Sequence, residues 1–136
     1  MNAVKISIQL DPVRDGIVAF PNAVKVDDRR GIVIGTNGKH RTVNAEEVQD
    51  IIDRLDENSV GSTVGDYIGI CDSRKVLTVD GTKYLVGSML IVKCYDSNLF
   101  MPVSEDDIAK IVIEFGSRII TLSAGEEDFS AYELEL

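Results

Sequence analysis

The sequence repeats its pattern of helix and turn signals at a constant offset of 60 residues, the separation of Val43 and Val103. The matching pairs are Val43/Val103, Asn44/Ser104, Glu47/Asp107, Val48/Ile108, Ile51/Ile111, Ile52/Val112, Leu55/Phe115 and Arg14/Arg74. A repeat of this length corresponds to one supersecondary unit, so the pattern predicts a tandem duplication in which 4–57 and 64–117 fold alike. The competing interpretation is that any capped helix following a hairpin would look similar.

The first unit, 1–57, is predicted to contain strands and hairpins followed by a helix. Residues 4–10 alternate apolar and polar side chains, which is typical of a half-buried strand. Hairpins are predicted over 16–26 and 31–43, the second turning at Asn37-Gly38, a dipeptide suited to a type I′ turn. Asn44 and Glu47 indicate the start of a helix over 44–57. Residues 58–65, rich in Gly and Ser, are predicted to be a linker.

The second unit, 66–124, shows the same order of signals. A hairpin is predicted around Asp80-Gly81, followed by an apolar strand over 89–95 and a helix over 104–115 that Ser104 caps. Residues 118–123 are predicted to form a final strand. Residues 125–136 form an acidic C-terminal tail, whose alternating end suits the addition of a strand to a sheet edge.

The predicted fold class is therefore α+β, with antiparallel hairpin-rich sheets, two amphipathic helices and a duplicated ββ-ββ-α-type unit. Units of about 60 residues are marginal alone, so the two are expected to share one core. Consecutive apolar residues at 32–34 and 89–92 predict strands that are buried on both faces.

Charge and composition limit the partners and the location. The 136 residues include 14 Lys and Arg against 23 Asp and Glu, a net charge of −9. Contact with nucleic-acid phosphates requires cations to neutralise them, so direct nucleic-acid binding is not expected. There is neither an apolar run of membrane-spanning length nor a signal-peptide pattern, which predicts a cytoplasmic protein with no membrane contact.

The residue types required for several chemistries do not occur in the required patterns. One His and two Cys without a Cys-x-x-Cys pair predict no metal site. Residues 31–39 differ from a nucleotide P-loop because Val33 stands where the first glycine is needed and a strand follows. His40 has no evident orienting partner, and no serine lies in a nucleophile elbow. The sequence therefore predicts no catalytic residue, metal or cofactor.

Three groups of residues are candidate binding sites. One is a pair of arginines at equivalent positions in the two units, which would line a small-molecule site between them. Another is a basic group that would form an anion site only if its two parts converge, and the third is the acidic tail. The three groups are Arg14 and Arg74; Arg29, Arg30, Lys39 and Arg41; and Glu126, Glu127, Asp128 and Tyr132.

These observations favour a non-enzymatic regulator or inhibitor that acts by protein–protein contact. In its sharper form the hypothesis is an acidic inhibitor that mimics nucleic acid and blocks a basic DNA- or RNA-handling enzyme, as small phage anti-defence proteins do. Carboxylates at both helix starts and in the tail would then replace phosphates. The alternative is a small-molecule-binding protein or an enzyme with its site between the two units. A homodimer is compatible with either hypothesis.

Overall fold

The computed structural model describes residues 28–94 and 100–135, which form two antiparallel sheets and two helices. The predicted α+β class is thereby confirmed. The strands are β1 Gly31–Gly35, β2 His40–Val43, β3 Ser59–Val64, β4 Tyr67–Asp72, β5 Val76–Val79, β6 Thr82–Leu85, β7 Ser88–Val92, β8 Ile119–Ala124 and β9 Glu127–Glu133, and the helices are α1 Ala45–Leu55 and α2 Glu105–Gly116. The predicted strand 4–10, the predicted hairpin 16–26 and Arg14 lie outside the described residues.

Five strands form the first sheet, in the order β2-β1-β7-β4-β3. At its centre β1 pairs with β7, with Gly31 opposite Val92 and Ile32 opposite Ile91. Because these partners come from distant parts of the chain, the sheet joins segments from both predicted units. Within the described residues, no helix is long and apolar enough to cross a membrane.

The second sheet has four strands in the order β5-β6-β9-β8. The segment predicted as an acidic tail provides β9, which pairs with β8 over its whole length and with β6 at Tyr84 and Leu85. Of the alternating end, only Tyr132 and Glu133 lie in β9, which is inside this sheet rather than at its edge.

The five-stranded sheet is buried on both faces, as its consecutive apolar residues predict. On one face Met89 and Ile91 pack against the four-stranded sheet and α2, in a cluster that includes Phe115 and Tyr132. On the other face Leu90 and Val92 pack against Val48, Ile51 and Ile52 of α1. Alternate β7 side chains point to opposite faces, so α1 and the four-stranded sheet lie on opposite sides of the molecule.

Both helices begin where the capping signals predict. The Asn44 side chain accepts a hydrogen bond from the Glu47 amide at 2.8 Å, and Ser104 and Asp107 form a complete capping box. Helix α1 ends two residues earlier than predicted, because Asp56 leaves helical geometry with a φ of 49° and a short 3-10 turn over Asp56–Asn58 follows.

Element bounds in the two halves keep the offset that the sequence pattern has. The strands β3 and β8 begin at Ser59 and Ile119, and the helices begin at Ala45 and Glu105. The registers of the hairpins β3–β4 and β8–β9 carry the same offset from end to end. Cys94 and Phe100 form an isolated bridge, and at the same offset their counterparts Ile34 and His40 also pair with each other.

One of the two predicted type I′ turns is present and the other is not. Asp80 and Gly81 both have positive φ, 52° and 85°, as that turn requires. At Asn37-Gly38 only Gly38 has positive φ, and the prediction is wrong. The turn there closes by a hydrogen bond from the Gly38 amide to the Gly35 oxygen at 2.9 Å, and the Asn37 side chain accepts from the Lys39 amide instead of occupying a second left-handed position.

Most of the segment 58–65 forms the strand β3, where composition predicts a linker. Ser62 and Val64 are buried, and the Ser62 hydroxyl donates to the Glu135 oxygen at 3.1 Å. Small residues are tolerated at these inward positions because the chain around Glu135 packs directly against the strand. The composition of this segment, rich in Gly and Ser, does not indicate a strand because strands are normally rich in β-branched and aromatic residues.

Candidate functional site

The structure does not bring the four predicted basic residues together. Arg29 is buried before β1, where its Nη1 donates to Glu105 Oε2 at 2.5 Å. Lys39 lies beyond the turn at the other end of β1, and Arg41 pairs with Glu47 at 2.6 Å on the second strand of the hairpin. Arg30 follows Arg29 at the start of β1, so the convergence that an anion site required is not found.

Arg74 has a local partner of its own. Its Nε and Nη2 donate to the two carboxylate oxygens of Asp72 at 2.9 and 3.0 Å. Hydrogen bonds from the Arg74 side chain and backbone lower the pKa of Asp72. Since Arg14 lies outside the described residues, the paired-arginine site between the units remains a prediction.

The residues predicted in the tail occupy two different environments. Glu126, Glu127 and Asp128 are exposed at the β8–β9 turn, where Asp128 accepts from the Ser123 hydroxyl at 2.6 Å. Tyr132 is fully buried, and its ring stacks on Phe115 with 4.3 Å between centroids and 11° between planes. Burial raises the pKa of Tyr132. The acidic residues therefore face solvent, whereas the tyrosine belongs to the core.

Helix α1 carries a row of exposed carboxylates. Glu46, Asp50 and Asp53 are exposed and follow the i, i+4, i+7 spacing of one helix face, and Asp56 and Glu57 continue the negative charge past its end. We call these five residues the α1 acidic face. Across 28–94 and 100–135, no ion pair joins any of them to a cation.

The acidic groups at the start of α2 are engaged internally instead. Glu105 pairs with Arg29 at 2.5 Å, and Asp106 lies 3.5 Å from Lys110. Asp107 is buried in the helix cap. At the start of α2 each acidic residue is therefore paired or buried, whereas Glu46 at the start of α1 is exposed and has no ion pair among the described residues.

The α1 acidic face works against the stability of its own helix. Like charges at i, i+4 destabilise a helix, and carboxylates near its C-terminus oppose the helix dipole. Asp56 also adopts a positive φ that favours glycine. Residues that disfavour their own local structure are expected at functional or strained sites. The acidic row is therefore the feature of the sequence that indicates α1 as a candidate contact surface.

A shallow cavity of about 210 Å³ lies beside the β1–β2 turn. Its walls combine the hairpin with Ser88 at the start of β7, and three of its lining side chains are Lys39, His40 and Arg41. The cavity is open to solvent and has room for a small polyatomic anion or a few water molecules.

A polar cluster around the buried Asp107 joins α2 to β4 and to the residue after β7, two strands of the five-stranded sheet. Asp107 accepts hydrogen bonds from the Tyr67 hydroxyl at 2.8 Å, from the backbone amide and hydroxyl of Ser104 at 2.9 Å each, and from Lys93 Nζ at 3.2 Å. Burial alone would raise the pKa of Asp107, but these hydrogen bonds outweigh burial and lower it. Burial and the bond to Asp107 raise the pKa of Tyr67 to about 12.

The Asp107 cluster makes stability depend on pH at both extremes. As pH falls through the ordinary carboxyl range near about 4, the unfolded chain binds a proton that folded Asp107 excludes, so the free energy of unfolding decreases. As pH rises from about 10 towards the folded value of about 12, the unfolded chain releases the Tyr67 proton first, and stability decreases again. Urea denaturation at a series of pH values measures both effects.

Single substitutions separate the loss of stability at low pH (the acid limb) from the loss at high pH (the alkaline limb). Asp107→Asn is expected to lower the free energy of unfolding by about 1–3 kcal/mol at pH 7 and to flatten the acid limb. Tyr67→Phe is expected to flatten the alkaline limb. The neighbouring exposed carboxylate provides the control, because Asp106→Asn should change stability by less than about 0.5 kcal/mol. An acid limb that persists unchanged in Asp107→Asn would contradict this account.

Comparison with known proteins does not identify a function for these residues. In the described part of the chain, no three His, Cys, Asp or Glu residues are grouped so that they could hold a metal ion. No family model, curated protein or solved structure matches the chain.

Proposed function

We propose that this chain is a non-enzymatic regulator that binds another protein through the α1 acidic face. The observation that carries the proposal is the row of exposed carboxylates on α1, none of which has a cationic partner among the described residues. Their partner would then have to supply the positive charge. A basic surface that normally binds nucleic acid has the required chemistry.

The spacing of the charges supports mimicry of a phosphate backbone. Glu46 and Asp53 lie seven positions apart with Asp50 between them, so that one charge occurs per roughly 5 Å of helix axis. A nucleic-acid strand carries one charge per about 3.4 Å. The two densities are of the same order, and the net charge of −9 adds long-range attraction to a basic partner.

The proposal is narrower than the hypothesis drawn from sequence. Glu105 and Asp106 of α2 make ion pairs within the chain, and the β8–β9 turn lies on the opposite side of the five-stranded sheet from α1. A single flat partner surface cannot contact both sides at once. We therefore assign the contact to α1 and treat the acidic turn as its charge-matched control.

We also propose that the fold arose by tandem duplication. Support comes from the common offset between α1 and α2, between β3 and β8, and between the two hairpin registers. Under this proposal the α1 acidic face is a later specialisation of one copy, since only Glu46 of that face corresponds at this offset to an acidic residue, Asp106.

The test is competition between the partner and nucleic acid. Proteins captured from lysate by the immobilised chain should be displaced by duplex DNA and by raised salt, because both compete for the same cations. The triple variant Glu46→Gln, Asp50→Asn, Asp53→Asn should lose at least about tenfold in affinity for the captured protein. Affinity is then measured with that protein in purified form.

The control variant removes equal charge from the other side of the molecule. Glu126→Gln, Glu127→Gln, Asp128→Asn also deletes three carboxylates, and it should retain binding to within a factor of about two or three. Equal losses in the two variants would mean that only total charge matters. Binding that is indifferent to salt, or that survives in the α1 variant, would reject the proposal.

The cavity beside the β1–β2 turn supports a second candidate function, the binding of a small anion. Lys39, His40 and Arg41 line it together, and Ser88 brings in the other half of the chain. Titration with inorganic phosphate, followed by the NMR signals of His40, tests this directly. No shift of these signals at millimolar phosphate would remove the candidate.

A further inference from the structure

The four-stranded sheet has an apolar face that neither core cluster covers. Along each strand alternate side chains point away from the core, and the large apolar ones on this outer sheet face are Leu77, Val79, Tyr84, Ile120, Leu122 and Phe129. Leu77 and Val79 are each 42% exposed. Ile120 and Leu122 lie on β8, at one edge of this face, and Leu77 and Val79 lie on β5, at the opposite edge.

Among the residues that the structure describes, no further segment bonds to the outer edge of β8, whereas one does bond to the edge of β3. The counterpart of β8 in the first half, β3, is covered by the chain near its end: the Thr63 amide donates to the Glu135 oxygen at 3.2 Å, and Thr63 Oγ1 donates to Glu135 Oε1 at 2.8 Å. Among the described residues, β8 pairs with β9 alone. Within 28–94 and 100–135 its outward amide and carbonyl groups have no strand partner, which is the arrangement in which an edge strand can recruit another strand.

The β8 sequence also lacks the features that normally protect an edge strand. Ile119–Ala124 reads Ile-Ile-Thr-Leu-Ser-Ala, with six residues and neither a charge, a proline nor a glycine. Natural edge strands are usually short, charged or interrupted by proline, because an open edge otherwise recruits a further strand. The other edge strand of this sheet, β5, is shorter, with four residues.

We propose that β8 pairs antiparallel with β8 of a second copy of this chain, forming a dimer with a continuous eight-stranded sheet. Residues that face each other across a ladder must point to the same side, which restricts the register. The register with Thr121 opposite Thr121 on the twofold axis satisfies this rule. It places Ile120 of each copy opposite Leu122 of the other, joining the two outer sheet faces.

Charge is complementary in the same register. Arg118 precedes β8, where its Nε donates to the Glu133 oxygen at 3.0 Å, and the exposed Glu126 and Glu127 lie in the turn after β8 and at the start of β9. Antiparallel pairing brings the start of one β8 beside the end of the other, so each Arg118 approaches the acidic turn of the second copy. This contact recurs twice in the dimer, as twofold symmetry requires. The α1 acidic faces lie on the other side of each molecule, so dimerisation and the proposed function are independent.

The first test is the oligomeric state of the full chain. Light scattering and sedimentation should show a dimer whose population increases with protein concentration. Leu122→Lys places a charge on the joined outer face and should shift the protein to monomer. Leu77→Lys makes the same change on β5 and should leave the dimer intact. Melting curves of both variants establish that each still folds.

The second test fixes the register by cross-linking. Two Thr121 residues facing each other across the axis would place their Cα atoms about 4.5–5.5 Å apart, within the range for a disulfide. Thr121→Cys should therefore yield a disulfide-linked dimer under mild oxidation, whereas Thr78→Cys on β5 should not. The wild-type chain, which has Cys71 and Cys94, provides the reference.

Three outcomes would overturn the proposal. A protein that remains monomeric at the highest soluble concentration has no such interface. A dimer that cross-links through Thr78→Cys uses the β5 edge instead. A dimer that is unaffected by Leu122→Lys and does not cross-link at position 121 pairs through another surface, including one formed by residues outside 28–94 and 100–135.

Discussion

Replacing Phe115 with alanine will lower the free energy of unfolding by about 3–5 kcal/mol. Phe115 is 1% exposed and stacks on the fully buried Tyr132, so its removal leaves a cavity and also ends the ring contact. The contact couples α2 to β9, which places the loss where the helix meets the four-stranded sheet. Urea denaturation of the purified variant measures the change directly.

Two further substitutions check that the loss reflects packing. Phe115→Leu retains much of the side-chain volume and should cost less than Phe115→Ala. Ile113, on the same helix, is 73% exposed, and Ile113→Ala should change stability by less than about 0.5 kcal/mol. If Phe115→Ala were no more harmful than Ile113→Ala, the core as described would be wrong.

Gly69→Ala is expected to destabilise the protein by about 1–3 kcal/mol, although it adds only one methyl group. Gly69 lies on the core face of β4, where a Cβ atom would stand 2.4 Å from Met89 Sδ and 3.2 Å from the Ser62 backbone oxygen. The methionine can move only by disturbing a buried cluster, and the backbone oxygen cannot give way without shifting β3.

The matched control for Gly69 is Gly61, on the neighbouring strand of the same sheet. A Cβ at Gly61 would meet only the Gly69 oxygen, at 4.0 Å, so Gly61→Ala should be neutral or slightly stabilising. Shortening the obstructing side chain should also reveal coupling: Gly69→Ala combined with Met89→Ala is expected to cost less than the sum of the two changes. Strict additivity would show that Met89 is not the obstacle.

Local signals predicted the helices well because the groups that start a helix lie within a few residues of one another. Asn44 with Glu47 and Ser104 with Asp107 bond across three residues, so their spacing is readable from sequence. Asp80-Gly81 is similar, since both residues of that turn need positive φ. The order of the strands depends on contacts such as Ile32 with Ile91, and nothing near either residue encodes that choice.

Sequence patterns do not show which side chains are buried, because tertiary packing decides the environment of each one. Tyr132 and Arg29 look like surface residues in a polar stretch, yet one stacks in the core and the other is buried against Glu105. The acidic residues at the starts of α1 and α2 look alike in sequence. Only the folded chain shows that Arg29 and Lys110 pair with Glu105 and Asp106. On α1 Arg41 pairs with Glu47, whereas the row of Glu46, Asp50 and Asp53 has no cationic partner among the described residues.

The pairing of β1 with β7 has a consequence for how this protein comes apart. Because these two strands exchange main-chain bonds in the middle of the five-stranded sheet, that sheet is incomplete once either half is lost, although the four-stranded sheet comes wholly from the second half. We expect melting to be all-or-none, with calorimetric and van't Hoff enthalpies that agree. After a proteolytic cut between the halves, the five-stranded sheet should re-form only when the fragments are mixed.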